Sequence, residues 1–179
     1  GYNGTGQLGH GTRESTATSK DLYVAAPKPM IGGRQGGSQL VDIAAIAAGY
    51  ETTYAIDSAG RAWACGWNVY GGLGMGLGPN KAYNRGRVQP VSVFRDDQPV
   101  PVDGLKAIAA GDYHAMAVRA DGELLAWGHN GFGQLGDGTR QDRESAVLAA
   151  ALAPDYAAPA KPRPELRTPP SPAVAARFS

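Results

Sequence analysis

An eleven-residue stretch that occurs three times decides the fold of this chain. The third copy reads Gly128-His129-Asn130-Gly131-Phe132-Gly133-Gln134-Leu135-Gly136-Asp137-Gly138. The earlier copies begin at Gly1 and Gly66, so successive starts are 65 and 62 residues apart. All three copies fit the pattern G-x-N-x-x-G-x-L-G-x-G. A motif that recurs in register at this spacing indicates a protein built from repeated structural units.

The fixed residues of the motif are typical of tight loops. Glycine enters positive φ without steric cost, and turn asparagines hydrogen-bond to nearby backbone. We therefore predict that these residues are structural and that the leucines insert into the core. The motif residues assigned this role are Asn3, Gly6, Leu8, Gly9, Asn68, Gly71, Leu73, Gly74, Asn130, Gly133, Leu135 and Gly136.

The segments between the loops predict short antiparallel strands. In the last unit, apolar runs at 105–110 and 114–119 precede the hairpin signal Asp121-Gly122, which leads into a third run at 123–127. Residues 145–148 can supply a fourth strand. Four strands per unit is the composition of a propeller blade.

The preceding unit repeats these features with changes. Its Ala-Ala-Gly ends at Gly49, 62 residues before Gly111, and its fourth strand is expected at 88–93, where Pro90 suits an edge. Trp63 and Trp127 are offset by two residues but keep the same strand parity. One alternative stays open, because residues 142–153 are rich in Ala and Leu and also fit a short helix.

Taken together, the recurring motif and the A-G-x-x-H-x-x-A segment ending at Ala117 resemble the regulator-of-chromosome-condensation repeat family. The resemblance covers about residues 1–150. The middle unit departs from it, with Thr52, Ala59 and Gly72 where its neighbours have His114, Asp121 and Gln. The resemblance implies a closed β-propeller of seven blades in the family and a packing role for His114, with Trp63 and Trp127 at the ends of strands.

The resemblance and the length together predict an all-β chain. We expect an incomplete β-propeller arc of about two to three four-stranded antiparallel blades, and a piece of a longer protein. The repeat region spans 1–152, with repeats near 1–48, 49–110 and 111–152. Residues 153–179 hold seven of the 13 prolines and are predicted to form a disordered Pro-rich tail. Pro159-x-x-Pro162 in this tail fits either a linker or an SH3-type ligand.

No residue set in the sequence suggests catalysis or a cofactor. Gly4–Gly9 and Gly131–Gly136 match G-x-G-x-x-G, but a dinucleotide site needs a strand before the loop and a helix after it, and no crossover helix follows the first or second motif copy. The three histidines stand at unrelated motif positions, which argues against a metal site. Cys65 is read as a small buried residue. We therefore expect no enzyme activity, no cofactor and no metal.

Aromatic residues at the variable motif positions predict a partner-binding surface. Repeated loops emerge on one face of a propeller, and aromatic side chains dominate interface energetics. The alternative is that these rings pack their loop against a neighbouring blade. The candidate partner-binding residues are Tyr2, Trp67, Tyr70, His129 and Phe132.

The predicted function is that of a protein-interaction module. One alternative is a guanine nucleotide exchange factor or regulator of a small GTPase, which the family resemblance implies by analogy. Another is an inhibitor or binder of an extracellular enzyme. The formal net charge of +1 implies no nucleic acid partner, and no stretch has the length of a membrane span. Exposed blade edges predict self-association. No signal peptide is visible, and we favour the cytoplasm.

Overall fold

The computed structural model describes residues 1–11, 29–32, 39–76, 85–95 and 98–149. Within these ranges the chain is all-β, with a single 3₁₀ turn, η1 (Val69–Gly71), and no α-helix. The predicted tail at 153–179 lies outside the described residues, and the division into a repeat region and a tail stays a prediction. No helix among the described residues is long and apolar enough to cross a membrane.

Two four-stranded antiparallel sheets account for most of the described chain. The first contains β1 (Ile43–Ala48), β2 (Thr52–Asp57), β3 (Ala62–Gly66) and β4 (Arg85–Pro90), side by side in chain order. The second contains β7 (Leu105–Ala110), β8 (His114–Arg119), β9 (Leu124–Gly128) and β10 (Arg143–Leu148), again in chain order. Each sheet is one blade, as the strand pattern predicted.

A separate hairpin joins the two blades. It consists of β5 (Ser92–Arg95) and β6 (Gln98–Pro101). The expected edge strand over 88–93 is therefore divided, because β4 ends at Pro90 and Ser92 begins the hairpin. Pro90 does lie in an edge strand, where the missing proline N–H leaves no ladder position unfilled.

The helical alternative for residues 142–153 is wrong over 142–149, where β10 pairs with β9. The unpaired edge of β9 offers hydrogen-bond partners along its length, and this outweighs the helix propensity of the alanines. Ala149 N continues the pairing by donating to Leu124 O at 3.0 Å.

The blades share irregularities as well as strand order. The first hairpin of each has a β-bulge at an equivalent place, Ile43–Ala45 in one blade and Leu105–Ala107 in the other. The second hairpin turns at Gly60 in one and Gly122 in the other, both with positive φ. Such bulges bend and twist the strand that carries them, so both blades acquire the same curvature.

The core lies between the blades. One face of the first sheet packs on the opposite face of the second, and backbone bonds such as Leu105 N to Gly60 O at 3.0 Å join them. Burial of the apolar side chains between the two sheets is the main favourable contribution to the free energy that holds the blades together. The buried cluster comprises Tyr54, Ile56, Ala62, Ala64, Leu73, Met75, Val91, Val102, Leu105, Ala115, Ala117, Leu125, Trp127 and Ala146.

Candidate functional site

The three Gly-rich loops have the same backbone hydrogen bonding. In each, the asparagine side chain is buried and its Oδ1 accepts from the leucine five residues later at 3.0 Å. The asparagine carbonyl also accepts from the glycine three residues on. That glycine has positive φ in all three loops, +86° at Gly6, +73° at Gly71 and +79° at Gly133. The motif therefore encodes one loop conformation through a buried polar group that is satisfied locally.

The leucines enter the core to different depths. Leu73 and Leu135 are fully buried, whereas Leu8 is half-buried. Leu73 lies between the two sheets, because its loop is clamped against the second blade. A Cβ at Gly71 would collide with the backbone of Glu144, and Gly76 N donates to Glu144 O at 2.7 Å.

A strand residue of each blade contacts the loop of the preceding repeat at one equivalent carbonyl. Trp127 is fully buried and its Nε1 donates to Gly72 O at 3.1 Å. Cys65 stands 62 residues earlier, and its Sγ donates to Gln7 O at 3.4 Å. Tyr54 Oη also donates to Gly72 O, at 2.5 Å, and its ring meets Trp127 edge-on. Burial raises the pKa of the Cys65 thiol to about 12, so this residue packs rather than reacts.

Trp63 and His114 have local packing contacts. Trp63 Nε1 donates to Asp57 Oδ2 at 3.0 Å, and the Arg61 guanidinium lies 5.6 Å from its ring. The half-buried Trp63 therefore does not fill the same layer as Trp127. The ring of His114 covers Gly111, where a Cβ would collide with it. Thr52 occupies the same position over Gly49 in the first blade.

The amide of Asn130 is held by a buried carboxylate. Its Nδ2 donates to Asp137 Oδ1 at 3.0 Å, and Arg143 Nε donates to Asp137 Oδ2 at 2.6 Å. Burial of Asp137 by itself would raise its pKa. Hydrogen bonds from Thr139 N, Arg143, Thr139 Oγ1 and Asn130 outweigh burial and lower that pKa to about 2. Asp137 thus fastens the third loop as an anion.

Hairpin loops lie beside the Gly-rich loops at the same end of each blade. Trp67 N donates to Glu51 O at 2.8 Å, and the equivalent His129 N donates to Tyr113 O at 2.9 Å. These bonds extend the strand pairing of Thr52 with Gly66 and of His114 with Gly128. As a result, the variable motif positions meet the tyrosines of the Ala-Ala-Gly loops.

Six rings form one connected group at this end, which we call the aromatic cluster. Tyr113 is central, with ring centroids 5.8 Å from Trp67, 5.7 Å from Tyr70 and 6.0 Å from Tyr50. The cluster continues from Tyr70 to His129 at 4.5 Å and from His129 to Phe132 at 5.9 Å. All five contacts are tilted or edge-on, and edge-on arrangements suit ring quadrupoles. Its members are Tyr50, Trp67, Tyr70, Tyr113, His129 and Phe132.

The cluster is open to solvent at several members. Phe132 is 87% exposed, Tyr50 65% and Tyr70 45%, while Trp67, Tyr113 and His129 are half-buried. The inner rings thus pack between blades, as the packing alternative expects, and the outer rings remain available. Large apolar side chains that protrude together mark interaction sites more often than single exposed ones do.

Four of the five predicted partner-binding residues therefore lie together. The fifth, Tyr2, is 39% exposed and covers Gly4, as His129 covers Gly131. Sequence reasoning missed Tyr50 and Tyr113. Both follow the Ala-Ala-Gly at the end of the first strand of a blade. The second strand of each blade pairs with the third, which leads into the Gly-rich loop, and this pairing could have placed both tyrosines here.

The middle loop presents its ring differently from the third. Gln134 Oε1 accepts from Phe132 N at 2.9 Å, and Gln7 Oε1 accepts from Thr5 N in the same way at 3.2 Å. Gly72 has no such side chain, and Tyr70 adopts a left-handed φ of +54° within η1. This turn places Tyr70 between Tyr113 and His129.

The cluster carries hydrogen-bonding groups but no assembled catalytic set. Gln134 Nε2 donates to His129 Nδ1 at 2.8 Å, since its Oε1 is occupied by Phe132 N. His129 is thereby held with Nδ1 as an acceptor. Over the described ranges, no group of three or more His, Cys, Asp or Glu side chains could hold a metal ion. What this end of the molecule offers is aromatic contact area.

Comparison with known proteins places the chain in a family. Two models described as "Regulator of chromosome condensation (RCC1) repeat" match it, one at residues 43–71 and 105–134 and the other at 59–118 and 121–159. The two sheets, their loops and these matches define a repeat-built β-propeller class. The chain belongs to the regulator of chromosome condensation (RCC1) repeat family, as its motif predicted.

Individual relatives cover most of this chain. The Ultraviolet-B receptor UVR8 of Arabidopsis thaliana is 31% identical over 158 residues, which is 88% of this chain and 30% of the receptor. Among solved structures, Prp20p of Saccharomyces cerevisiae matches 87% of this chain and 34% of its own, with 23% identity and a TM-score of 0.54. Yeast Prp20 in its complex with Kap60 matches 87% of this chain and 33% of its own, with 22% identity and a TM-score of 0.60.

These likenesses confirm the fold as part of a β-propeller. The chain spans about a third of the length of these proteins. It is therefore an incomplete arc compared with them, and the activities and partners of the whole proteins are not carried over by the match.

Proposed function

We propose that this chain is a protein-interaction module that holds a protein partner on the aromatic cluster and has no catalytic activity of its own. The observation that carries the proposal is the connection of six rings from two blades into one partly exposed surface. Tyr2 lies on an equivalent loop and extends the proposed surface toward the first repeat.

The physical case rests on rigidity. The cluster sits on loops fixed by buried asparagines and on the ends of paired strands, so its rings are positioned before binding. A preorganised surface loses little conformational freedom when a partner binds. Aromatic side chains then provide large contact areas with few rotatable bonds, the composition found in binding hot spots.

The solved structures support protein partners of this fold class. Prp20p was characterised for its binding to Gsp1p and histones, and Prp20 was solved bound to Kap60. Histone binding belongs to that protein. For this chain the net charge of +1 supplies no strong field for nucleic acid or chromatin.

The proposal is tested by removing two exposed rings of the cluster, one from the Gly-rich loop of each blade. The double variant Tyr70→Ala/Phe132→Ala should reduce recovery of a bound protein about tenfold or more, because hot-spot truncations cost at least ~2 kcal/mol. Recovery on the immobilised full chain is measured by quantitative mass spectrometry. The thermal midpoint should fall only slightly, since Phe132 is 87% exposed and Tyr70 45%.

A matched control removes exposed apolar area elsewhere. Ile46 is 73% exposed and Leu148 53%, and they lie within β1 and β10 rather than in the loops that carry the cluster. The variant Ile46→Ala/Leu148→Ala should recover the same proteins as the unmodified chain. Equal recovery by both double variants would refute the proposal, as would a large loss of stability in the cluster variant.

Regulation of a small GTPase is a second candidate, favoured by the likeness to Prp20p and its binding to Gsp1p. It is tested by release of a fluorescent guanine nucleotide from Gsp1p. Acceleration by the chain that disappears in Tyr70→Ala/Phe132→Ala would support it. An unchanged release rate at saturating chain would reject it. The extracellular-enzyme alternative, the cytoplasmic location and self-association stay predictions.

A further inference from the structure

We infer that the aromatic cluster binds a proline-rich basic segment and that residues 154–167 of this chain are one such ligand, docking in cis. The inference rests on the proposed function, because it names the ligand of the same surface. It joins two features that the fold alone leaves unrelated, an open group of tyrosine and tryptophan rings and a terminal stretch rich in proline and arginine.

The rings match the chemistry of proline recognition. Surfaces that bind proline-rich segments are lined by aromatic side chains, and the ligand arrives as an extended polyproline II helix that loses little entropy on binding. Here the ring centroids of Tyr50, Trp67 and Tyr70 each lie about 6 Å from the ring centroid of Tyr113. Tyr50 is 65% exposed and Tyr70 45%, so both offer ring area to a ligand.

The charges are complementary. The two hairpin loops of the cluster carry Glu51 and Asp112 and no basic residue, and Asp112 is exposed. Residues 154–167 carry three cations, Lys161, Arg163 and Arg167, against two acids, Asp155 and Glu165. Lys161 and Arg163 flank Pro162, so a segment lying on the rings brings both cations to the carboxylates. Arginine also stacks on aromatic faces.

The length of the intervening chain allows this docking. β10 passes the loop end at Arg143, opposite Gly128, and leaves the far end at Leu148, opposite Leu125. To return to the loop end, the chain after β10 must span the length of a six-residue strand, roughly 20 Å. The ten residue-to-residue steps from Ala149 to Pro159 extend to at most about 35 Å. The connecting chain is therefore long enough for Pro159 to reach the cluster.

Docking in cis has a functional consequence. The tail occupies the surface that the partner needs, so an external partner must displace it. Weakening the tail raises the apparent affinity for the partner, and a partner bearing its own proline-rich basic segment is the kind best able to compete.

Indole resonances of the full chain report this directly. The chain has three tryptophans, and only Trp67 belongs to the cluster, while Trp63 and Trp127 bond to Asp57 and Gly72. Pro159→Ala/Lys161→Glu/Pro162→Ala/Arg163→Glu should shift the Trp67 Nε1–H signal and leave the other two in place. A synthetic peptide of residues 156–167, added to this variant, should restore the original position.

Affinity measurements separate specific docking from nonspecific charge attraction. The peptide should bind the tail variant about tenfold more weakly when Tyr70 and Phe132 are replaced by alanine, and a scrambled peptide of the same composition should not restore the signal. An unmoved Trp67 signal would overturn the inference, as would equal restoration by both peptides.

Failure of this inference is distinguishable from failure of the proposed function. If the peptide does not move Trp67 while Tyr70→Ala/Phe132→Ala still loses its protein partner, the surface binds a different chemistry and only the inference falls. If the peptide binds the rings but Tyr70→Ala/Phe132→Ala recovers as much partner protein as the unmodified chain, the proposed function is refuted and the docking inference stands.

Discussion

The two blades have the same strand order and equivalent bulges, yet the same face of each is exposed to a different extent. Positions 62 residues apart can be compared directly: Tyr54 with Met116, Ile56 with Val118, and Ala62 with Leu124. In the first blade these side chains are at most 1% exposed. In the second, Leu124 is 38% exposed and the other two are half-buried.

This difference separates what a repeat encodes from what its neighbour adds. The first blade is covered by the second, and Trp127 fills the joint between them. Within the described ranges no further sheet covers the second blade. Strand pairing is therefore a property of each repeat, while deep burial of this face depends on the next one, as in other repeat architectures whose stability includes an interface term.

The largest expected effect tests that covered face. Tyr54→Ala should lower the free energy of unfolding by about 3–5 kcal/mol, as for other buried aromatic side chains, because it leaves a cavity beside Trp127. Met116→Ala, at the equivalent half-buried position, should cost about 1 kcal/mol. Urea unfolding followed by tryptophan fluorescence measures both. Equal losses would show that the two faces are equally important and would break the comparison.

Two equivalent loop glycines, Gly71 and Gly133, give a second test of the comparison between the blades. Alanine at Gly133 should cost about 1–2 kcal/mol, since its left-handed backbone strains any L-residue while open space surrounds it, with the nearest atom 3.8 Å away. Alanine at Gly71 should cost about 1–3 kcal/mol more, because its Cβ collides with Glu144 of the second blade.

The same unfolding assay applied to both glycine variants isolates the interface contribution to the cost. If Gly71→Ala and Gly133→Ala are equally destabilising, the loop does not press against the neighbouring blade. A hydrogen-exchange comparison would then be expected to show no weakening at β10 in the Gly71 variant.

A smaller effect concerns pH. The pKa of Asp137 in the folded chain is about 2, below the ordinary value of about 3.9. Its stabilising contribution is therefore complete above about pH 4 and is lost as the pH falls towards 2. Asp137→Asn should destabilise the chain by about 1.5–3 kcal/mol near neutral pH, because it removes a charged acceptor from Arg143.

The variant should also be less sensitive to acid, without becoming indifferent to it. Asp57 in the first blade accepts from Arg61 and Trp63. Burial opposes ionisation of Asp57, but the backbone hydrogen bond from Arg61 and the bonds from these side chains lower its pKa. Unfolding free energies measured between neutral pH and about pH 2.5 should fall less steeply for Asp137→Asn than for the unmodified chain. Parallel curves would contradict the assigned role.

Much of the loop architecture was predictable because it is local. An asparagine that bonds to the leucine five residues later needs only its own motif, so three sequence matches gave three matching loops. The hairpin at Asp121-Gly122 was equally accessible, since glycine at that turn meets a backbone requirement set within a few residues.

Features that depend on distant contacts were harder to predict. Residues 143–148 were ambiguous because alanine-rich sequence suits a helix, and only the free edge of β9 selects a strand. Tyr50 and Tyr113 were missed because they lie outside the motif and join the other rings through pairing between strands. Leu8 and Leu73 occupy the same motif position but differ in depth, so burial there depends on surroundings that the motif does not encode.

One carbonyl suggests how such a chain can grow. Gly72 O accepts a hydrogen bond from Trp127 of the following blade, just as Gln7 O accepts one from Cys65, and position 134 is the corresponding place in the last loop. Each 62-residue unit therefore carries both a donor for the unit before it and an acceptor for the unit after it. Tandem duplication of the encoding segment would add a blade whose seam is already specified, so the arc can lengthen without a newly evolved interface.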